Sequence, residues 1–187
     1  MSQAGAWAAL RAATAEAHAT LESVPLNRRL FAEDFSQAEL TGLLNRMVSV
    51  YRPLERRLVG VEPALSLVYR PRLPLLLDGL AVLGAAATAA DIPAPVLDHD
   101  DARLGALYVI EGSSMGGQMI HQQLSARHPA AALAVFLPHG DGAGEAWRAF
   151  RAALDTRLTR PEALERATAA AIATFRMFHQ ALSANWS

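Results

Sequence analysis

Cysteine is absent from this 187-residue chain. Disulfides, Cys-ligated zinc, iron–sulfur clusters, thiolate metal ligation and a Cys nucleophile are therefore excluded. Lysine is absent as well, and all 17 basic residues are arginine. Any anion held here by a charged basic side chain is held by Arg or by a protonated His. Acidic residues number 18 and the formal net charge is −1, which gives no argument for nucleic acid as a partner. Long apolar runs are missing. Leu73 to Ala90 comes nearest to a membrane span, and Asp78 interrupts it. Met1 to Trp7 has neither the basic start nor the apolar core of a signal peptide. The expectation is a soluble, cytoplasmic protein with no membrane partner.

What is present points to helices. Hydrophobic residues make up 52% and charged residues 19%, the balance of a globular chain. The length suits one domain, residues 1–187, able to bury roughly 70% of its unfolded surface. Alanine, leucine and arginine are abundant, and all three favour helix. Trp7, Leu10, Thr14, Ala17 and Leu21 recur at helical spacing until Pro25 stops them. Ser36 with Glu39 is a capping-box signature opening a helix to about Gly60, with Leu40, Leu43, Leu44, Met47, Val50, Tyr51, Leu54 and Leu58 as its stripe. Pro53 inside it predicts a kink or a bend. Further helices are expected over Leu75 to Ala90, Ala102 to Arg127, Glu145 to Leu158 and Pro161 to Ala184, with Asp91 to Pro95 a linker and Pro138 to Gly144 a loop. No segment reads as a strand, and short loops favour antiparallel packing. The predicted fold is a single-domain all-α bundle of about six to eight helices.

Two segments carry candidate chemistry. Arg11, Thr14, His18 and Glu22 are spaced three, four and four apart, so they share a helix face. A neutral His18 there can ligate a metal through one nitrogen while Glu22 orients the other; the plainer reading is a His on an ion-paired surface. The second segment is Tyr108-Val-Ile-Glu-Gly-Ser-Ser-Met-Gly-Gly-Gln118. Each helical glycine costs about 1 kcal/mol relative to alanine, so Gly112, Gly116 and Gly117 ask for an explanation. Tyr108, Gly112 and Gly116 share a face on which bare backbone can approach a flat object; close helix–helix packing is the alternative. A nucleotide loop is excluded by the missing GxxxxGK[ST] lysine and the missing strand. Among the other histidines, His99, His121, His128, His139 and His179, no HxxxH or ExxH pair occurs, which argues against a di-iron carboxylate bundle. Ser113 lacks the setting of a hydrolase nucleophile.

Together the segments resemble the heme oxygenase family, in the bacterial type found alongside bacteriophytochromes. Leu10 to Glu22 is similar to that family's proximal helix and Tyr108 to Gln118 to its distal helix. The resemblance implies heme b as both substrate and cofactor, His18 as proximal iron ligand with Glu22 as its neighbour and Thr14 on the same face. It places Gly112, Ser113 and Gly116 on the catalytic distal side, and Arg11, Tyr108 and Arg151 near the propionates. Mammalian relatives carry an Asp where this chain has Ser113; a hydroxyl holds water but lacks the carboxylate's charge. The implied products are biliverdin, opened at the α position, with CO and iron. Electrons would come from an external donor such as a ferredoxin or flavin reductase, and a bacteriophytochrome would accept the biliverdin. Arg28, Arg29, Arg52, Arg56, Arg57, Arg70 and Arg72 are the expected docking face for an acidic donor; a solvated helix surface paired with Glu55 and Glu62 is the alternative. A non-catalytic heme carrier of the same fold would show the same two segments.

Overall fold

The computed structural model describes residues 5–61 and 69–183, and every regular element among them is helical. Seven helices have eight residues or more: α1 (Ala6–Ala13), α2 (Ala15–Glu22), α4 (Gln37–Leu58), α5 (Leu73–Val82), α6 (Asp100–Leu124), α8 (Ala143–Arg157) and α9 (Pro161–Leu182). Two shorter ones, α3 (Pro25–Arg29) and α7 (Ala130–Leu133), and two 3-10 turns connect them. The expected all-α bundle is observed. Among the described residues no helix is long and apolar enough to cross a membrane.

The centre of the molecule is α6 against α9. Gly105 permits this approach: a Cβ there would collide with the Ala167 carbonyl of α9. Helices α4 and α5 pack on one side, α8 closes against α6, and α1 and α2 lie along α9. The buried side chains form a continuous cluster running from Leu10 to Ala181.

Local chemistry explains where α4 begins and how it survives a proline. Ser36 Oγ accepts the Glu39 N–H at 3.2 Å, and the Glu39 carboxylate accepts the Ser36 N–H at 2.8 Å, closing the capping box. Pro53 has no N–H for the carbonyl of Ser49. The Ile92 N–H takes that carbonyl at 2.9 Å, so the connection after α5 repairs the helix it crosses. Helix α5 is shorter than the expected 75–90 segment. Gly84 adopts φ +71°, its N–H donates to Ala81 O, and the Ala85 N–H donates back to Leu80 O; this is a Schellman ending that alanine-rich sequence on either side does not advertise. The first expected helix is divided at Thr14, whose φ and ψ are −101° and 1°. The hydrogen bonds Thr14 N–H to Leu10 O and His18 N–H to Thr14 O continue across the break at 2.9 Å each.

Arg29 joins Glu39 and Asp34, and this bonding, foremost the contact with the guanidinium, pushes the Glu39 carboxyl down to about 2 and the Asp34 carboxyl below its ordinary range. A depressed carboxyl stabilises the fold above its unfolded pKa and loses that contribution as pH falls through the folded value. Stability should therefore decline between about pH 5 and pH 2. In Glu39→Gln, urea unfolding should show lower stability at neutral pH and a shallower decline over that window, with Asp34 supplying what slope persists.

Candidate functional site

The break at Thr14 decides what α2 presents. Thr14 is buried, its hydroxyl donating to Leu10 O at 2.8 Å and lying 3.5 Å from the Tyr108 hydroxyl on α6. Arg11, His18 and Glu22 are exposed where Thr14 is covered. His18 Nδ1 faces Glu22 Oε2 at 3.4 Å, and the ring packs edge-on against Phe175 of α9 at 5.6 Å. This places Glu22 on the Nδ1 side of the ring and leaves Nε2 as the nitrogen a metal could reach. The His18 side chain is 55% exposed, accessible to a ligand.

Helix α6 sorts its glycines by function. A Cβ on Gly117 would strike the Phe136 carbonyl, so that glycine, like Gly105, is required by packing. Gly116 is different: a Cβ there would meet nothing within 4 Å. On Gly112 a Cβ would make only ordinary contact, 3.5 Å from Trp147 Cη2 on α8. Helix packing thus accounts for Gly105 and Gly117 and leaves Gly112 and Gly116 unexplained by anything within the protein. Helices α2 and α6 touch through Thr14 and Tyr108; one turn along α2 stands His18, and one turn along α6 stands Gly112.

Sequence reasoning missed the apolar residues around this space. Met115 and Met119, on the same face of α6 as Gly112 and Gly116, are 40% and 62% exposed, and Phe31 is 46% exposed. Gln123 Nε2 donates to the Phe31 carbonyl at 3.4 Å and Arg127 reaches the carbonyls of Ala32 and Glu33, so the segment after α3 is tied to the far end of α6. An apolar face left uncovered along bare backbone suits a broad flat ligand.

A cationic pair adjoins it. The Arg151 guanidinium lies over the Trp7 ring at 3.5 Å and that of Arg11 is 5.7 Å from the same ring. Asp155 Oδ1 fixes Trp7 by accepting its backbone N–H at 2.9 Å. Arg151 Nε is buried with no hydrogen-bond partner, an orphan donor that a carboxylate would satisfy. Trp147 stacks on Phe150 and sits 6.1 Å from the Tyr108 ring.

Behind the glycine turn is a charge network that the sequence did not reveal. Arg72 Nη2 donates to Glu111 Oε1 at 2.9 Å and to Ser114 Oγ at 3.1 Å, and His139 Nε2 lies 2.7 Å from Glu111 Oε2. Arg72 was expected on the surface with the donor-docking arginines; it is 1% exposed. The physical reason is Glu55, whose carboxylate turns inward to accept the backbone N–H groups of Arg72 and Leu73 and the Tyr69 hydroxyl, which carries the Arg72 side chain into the core. The readable signal was Glu111, a carboxylate in the apolar run Leu104 to Ile110. Burial pushes the neighbouring Tyr51 hydroxyl up to about 12, so it stays neutral beside Ser113. Ser113 Oγ donates to Ile110 O at 2.7 Å.

The rest of the expected docking face is largely ion-paired. Arg52 and Arg56 share Asp91 at 2.8 and 3.2 Å, and Arg29 binds Glu39 and Asp34, while Arg28, Arg57 and Arg70 are exposed; Glu62 lies outside the described residues. His179 lines a separate groove with Ala13, Ala17 and Arg176, away from α6. Among the described residues no three His, Cys, Asp or Glu side chains gather as a metal cage.

The family model for heme oxygenase matches residues 5–76 and 88–184. A heme oxygenase of Xanthomonas campestris pv. campestris (strain 8004) is 42% identical over 148 residues, covering 72% of this chain and 87% of that protein. Two solved structures share the fold. The NO- and CO-bound heme oxygenase from Neisseria meningitidis has a TM-score of 0.72 at 19% identity, covering 95% of this chain and 90% of the other. Heme oxygenase from Leptospira interrogans has a TM-score of 0.75 at 18% identity, covering 96% and 99%.

The division of glycines makes a prediction about the empty space. Gly117→Ala should destabilise the chain by about 1–3 kcal/mol through overpacking. Gly116→Val should change stability by less than about 0.5 kcal/mol, since its side chain meets no protein atom. Thermal unfolding of the two ligand-free variants checks this; equal losses would place Gly116 in the packed core.

Proposed function

We infer, since the chain belongs to the heme oxygenase family, that it binds heme against α2 and α6 and cleaves it with O2 and external electrons to biliverdin, CO and iron. The observation that carries the reading is Gly116, bare backbone facing open space two helical turns beyond the Thr14–Tyr108 contact. The residues fit the group: apolar Met115, Met119 and Phe31 stand exposed for a macrocycle, and Arg151 Nε lacks an acceptor that a propionate would supply. Bound heme supplies the redox-active iron and the ring that is oxidised.

The protein's own groups then hold and orient. His18 Nε2 is the proposed axial ligand, with Glu22 taking the Nδ1 proton and Phe175 bracing the ring. Arg11, Arg151 and Tyr108 are proposed to fix the propionate edge, and so which meso carbon is opened, taken here as the α position. Thr14 buttresses Tyr108. Gly112 and Gly116 keep side chains off the distal face. The Ser113 proton is committed to Ile110 O, so this hydroxyl offers distal water only acceptor lone pairs. Electrons are proposed to come from a separate ferredoxin or flavin reductase, docking where Arg28, Arg57 and Arg70 are exposed, and biliverdin to pass to a bacteriophytochrome.

Hemin titration followed by ascorbate or reduced ferredoxin in air tests the function: the Soret band should decay as biliverdin absorption rises. A stable Soret band would leave a heme carrier. His18→Ala should lose the His-ligated ferric spectrum and turnover together, and added imidazole should restore the spectrum. An unchanged spectrum would remove His18 from the iron. Arg151→Ala should weaken heme affinity roughly ten- to hundredfold, the worth of one or two charge-assisted hydrogen bonds. Equilibrium titration with hemin measures it, and unchanged affinity with a single unchanged isomer would reject the propionate role.

A further inference from the structure

We propose that Arg72, Glu111 and His139 are positioning residues, a buried clamp that fixes the glycine turn of α6 and with it the clearance over the heme. The proposal rests on the reading of that turn as the distal face. Gly112, Gly116 and Gly117 give the segment weak helical propensity, and on its cleft face Gly112 and Gly116 offer no side chain while Met115 and Met119 beside them stand exposed, so little of the protein holds it from that side. Whatever fixes it must grip from behind.

The grip is on the page. Arg72 Nη2 bonds Glu111 and Ser114, three residues apart, so one guanidinium spans the helical turn that contains Gly112. His139, in the turn before α8, takes the second Glu111 oxygen at 2.7 Å. The side chains of Arg72, Glu111 and His139 are 1%, 6% and 5% exposed, so water offers no competing partners. Arg72 is itself anchored. Glu55 of α4 accepts its backbone N–H at 2.6 Å, its Nη1 donates to the Arg70 carbonyl, and its guanidinium lies over Tyr69. Helices α4 and α5 and the turn before α8 therefore meet at one carboxylate of α6. Apolar side chains would fill this volume equally well, but they impose no direction. Directed bonds at both Glu111 oxygens fix the rotation of α6 about its axis, which decides whether Gly112 and Gly116 face the ligand.

The test compares wild type with Glu111→Gln, which keeps shape and removes charge. In the heme-free chain, amide exchange of residues 109–118 should accelerate about tenfold or more as a local opening, with residues 163–178 of α9 unchanged. In the hemin complex the His18-ligated spectrum should persist while ascorbate-driven kcat falls about fivefold or more at constant KM. The apolar double variant Arg72→Met, Glu111→Leu should recover thermal stability without recovering kcat. Should Glu111→Gln fail to fold, His139→Gln carries the same exchange and kcat comparison. Exchange that is unchanged, or raised equally in both segments, overturns the clamp, as does an apolar double variant with wild-type kcat. If the wild-type chain cleaves no heme, the functional reading fails, and the exchange pattern still decides whether the turn is clamped.

Discussion

A helix that presents bare backbone on one face cannot be held from that face. Helix α6 carries this constraint, and much of the molecule is arranged around it. Its N-terminal half is seated conventionally: Gly105 lets α9 approach to backbone contact, and Leu104, Leu107 and Ile110 fill the core. Beyond Ile110 the apolar side chains give way to glycine and serine, and the hold passes from packing to directed bonds. Burying an arginine is expensive, and removing one partner of such a pair costs about 3–5 kcal/mol. The chain tolerates the expense because both terminal nitrogens of Arg72 are bonded, to Glu111, Ser114 and the Arg70 carbonyl. A few residues on, Gly117 again packs against the backbone at Phe136. The unsupported turn is bounded by tight contacts on both sides.

The opposite wall follows a different rule. Helix α2 has no buried side chain of its own. It is positioned by Thr14 at its start and by α9 along its length, so His18 is presented on a short, lightly anchored element. Glu22 and Phe175 supply the orientation that burial would otherwise give, one through the imidazole nitrogen and one through the ring edge. On the proposed reading, backbone held in place on α6 is paired with a side chain on α2 that has some freedom to adjust, a workable division if one side ligates and the other only leaves room.

Parts of this were legible in the sequence because they are local. The Ser36–Glu39 capping box, the stripe of α4 and the stop at Pro25 depend on residues within a turn or two of one another. The end of α5 at Gly84 was not legible, because alanines on both sides favour helix and only the left-handed glycine halts it. Sequence spacing placed Tyr108, Gly112 and Gly116 on one face, but could not say which glycines pack and which face space; that depends on Phe136 and Trp147, remote in sequence. Arg72 illustrates the limit most sharply. Set among Arg70, Pro71 and Pro74 it reads as surface charge, and only the inward turn of Glu55 and the buried Glu111 carboxylate of α6 make it a core residue.

The same network constrains the chemistry of the proposed distal side. Glu111 is the carboxylate nearest in sequence to the glycine turn, yet both its oxygens are engaged, by Arg72 and by His139. It is therefore committed to holding α6 and is not free to meet a ligand. Ser113, proposed for the distal side, gives its proton to its own helix. Tyr51, held neutral by burial, and Ser113 are then the polar side chains flanking the turn on the side of α4. Neutral hydroxyls bind water without imposing a fixed charge. The Ser113 lone pairs and the bare backbone at Gly112 and Gly116 are then polar groups open to water there, and the geometry they impose is only as definite as the turn itself. Holding that turn still is accordingly a chemical requirement as much as a structural one, and it gives a physical reason for a charged network this deep in a chain with so few charges to spare.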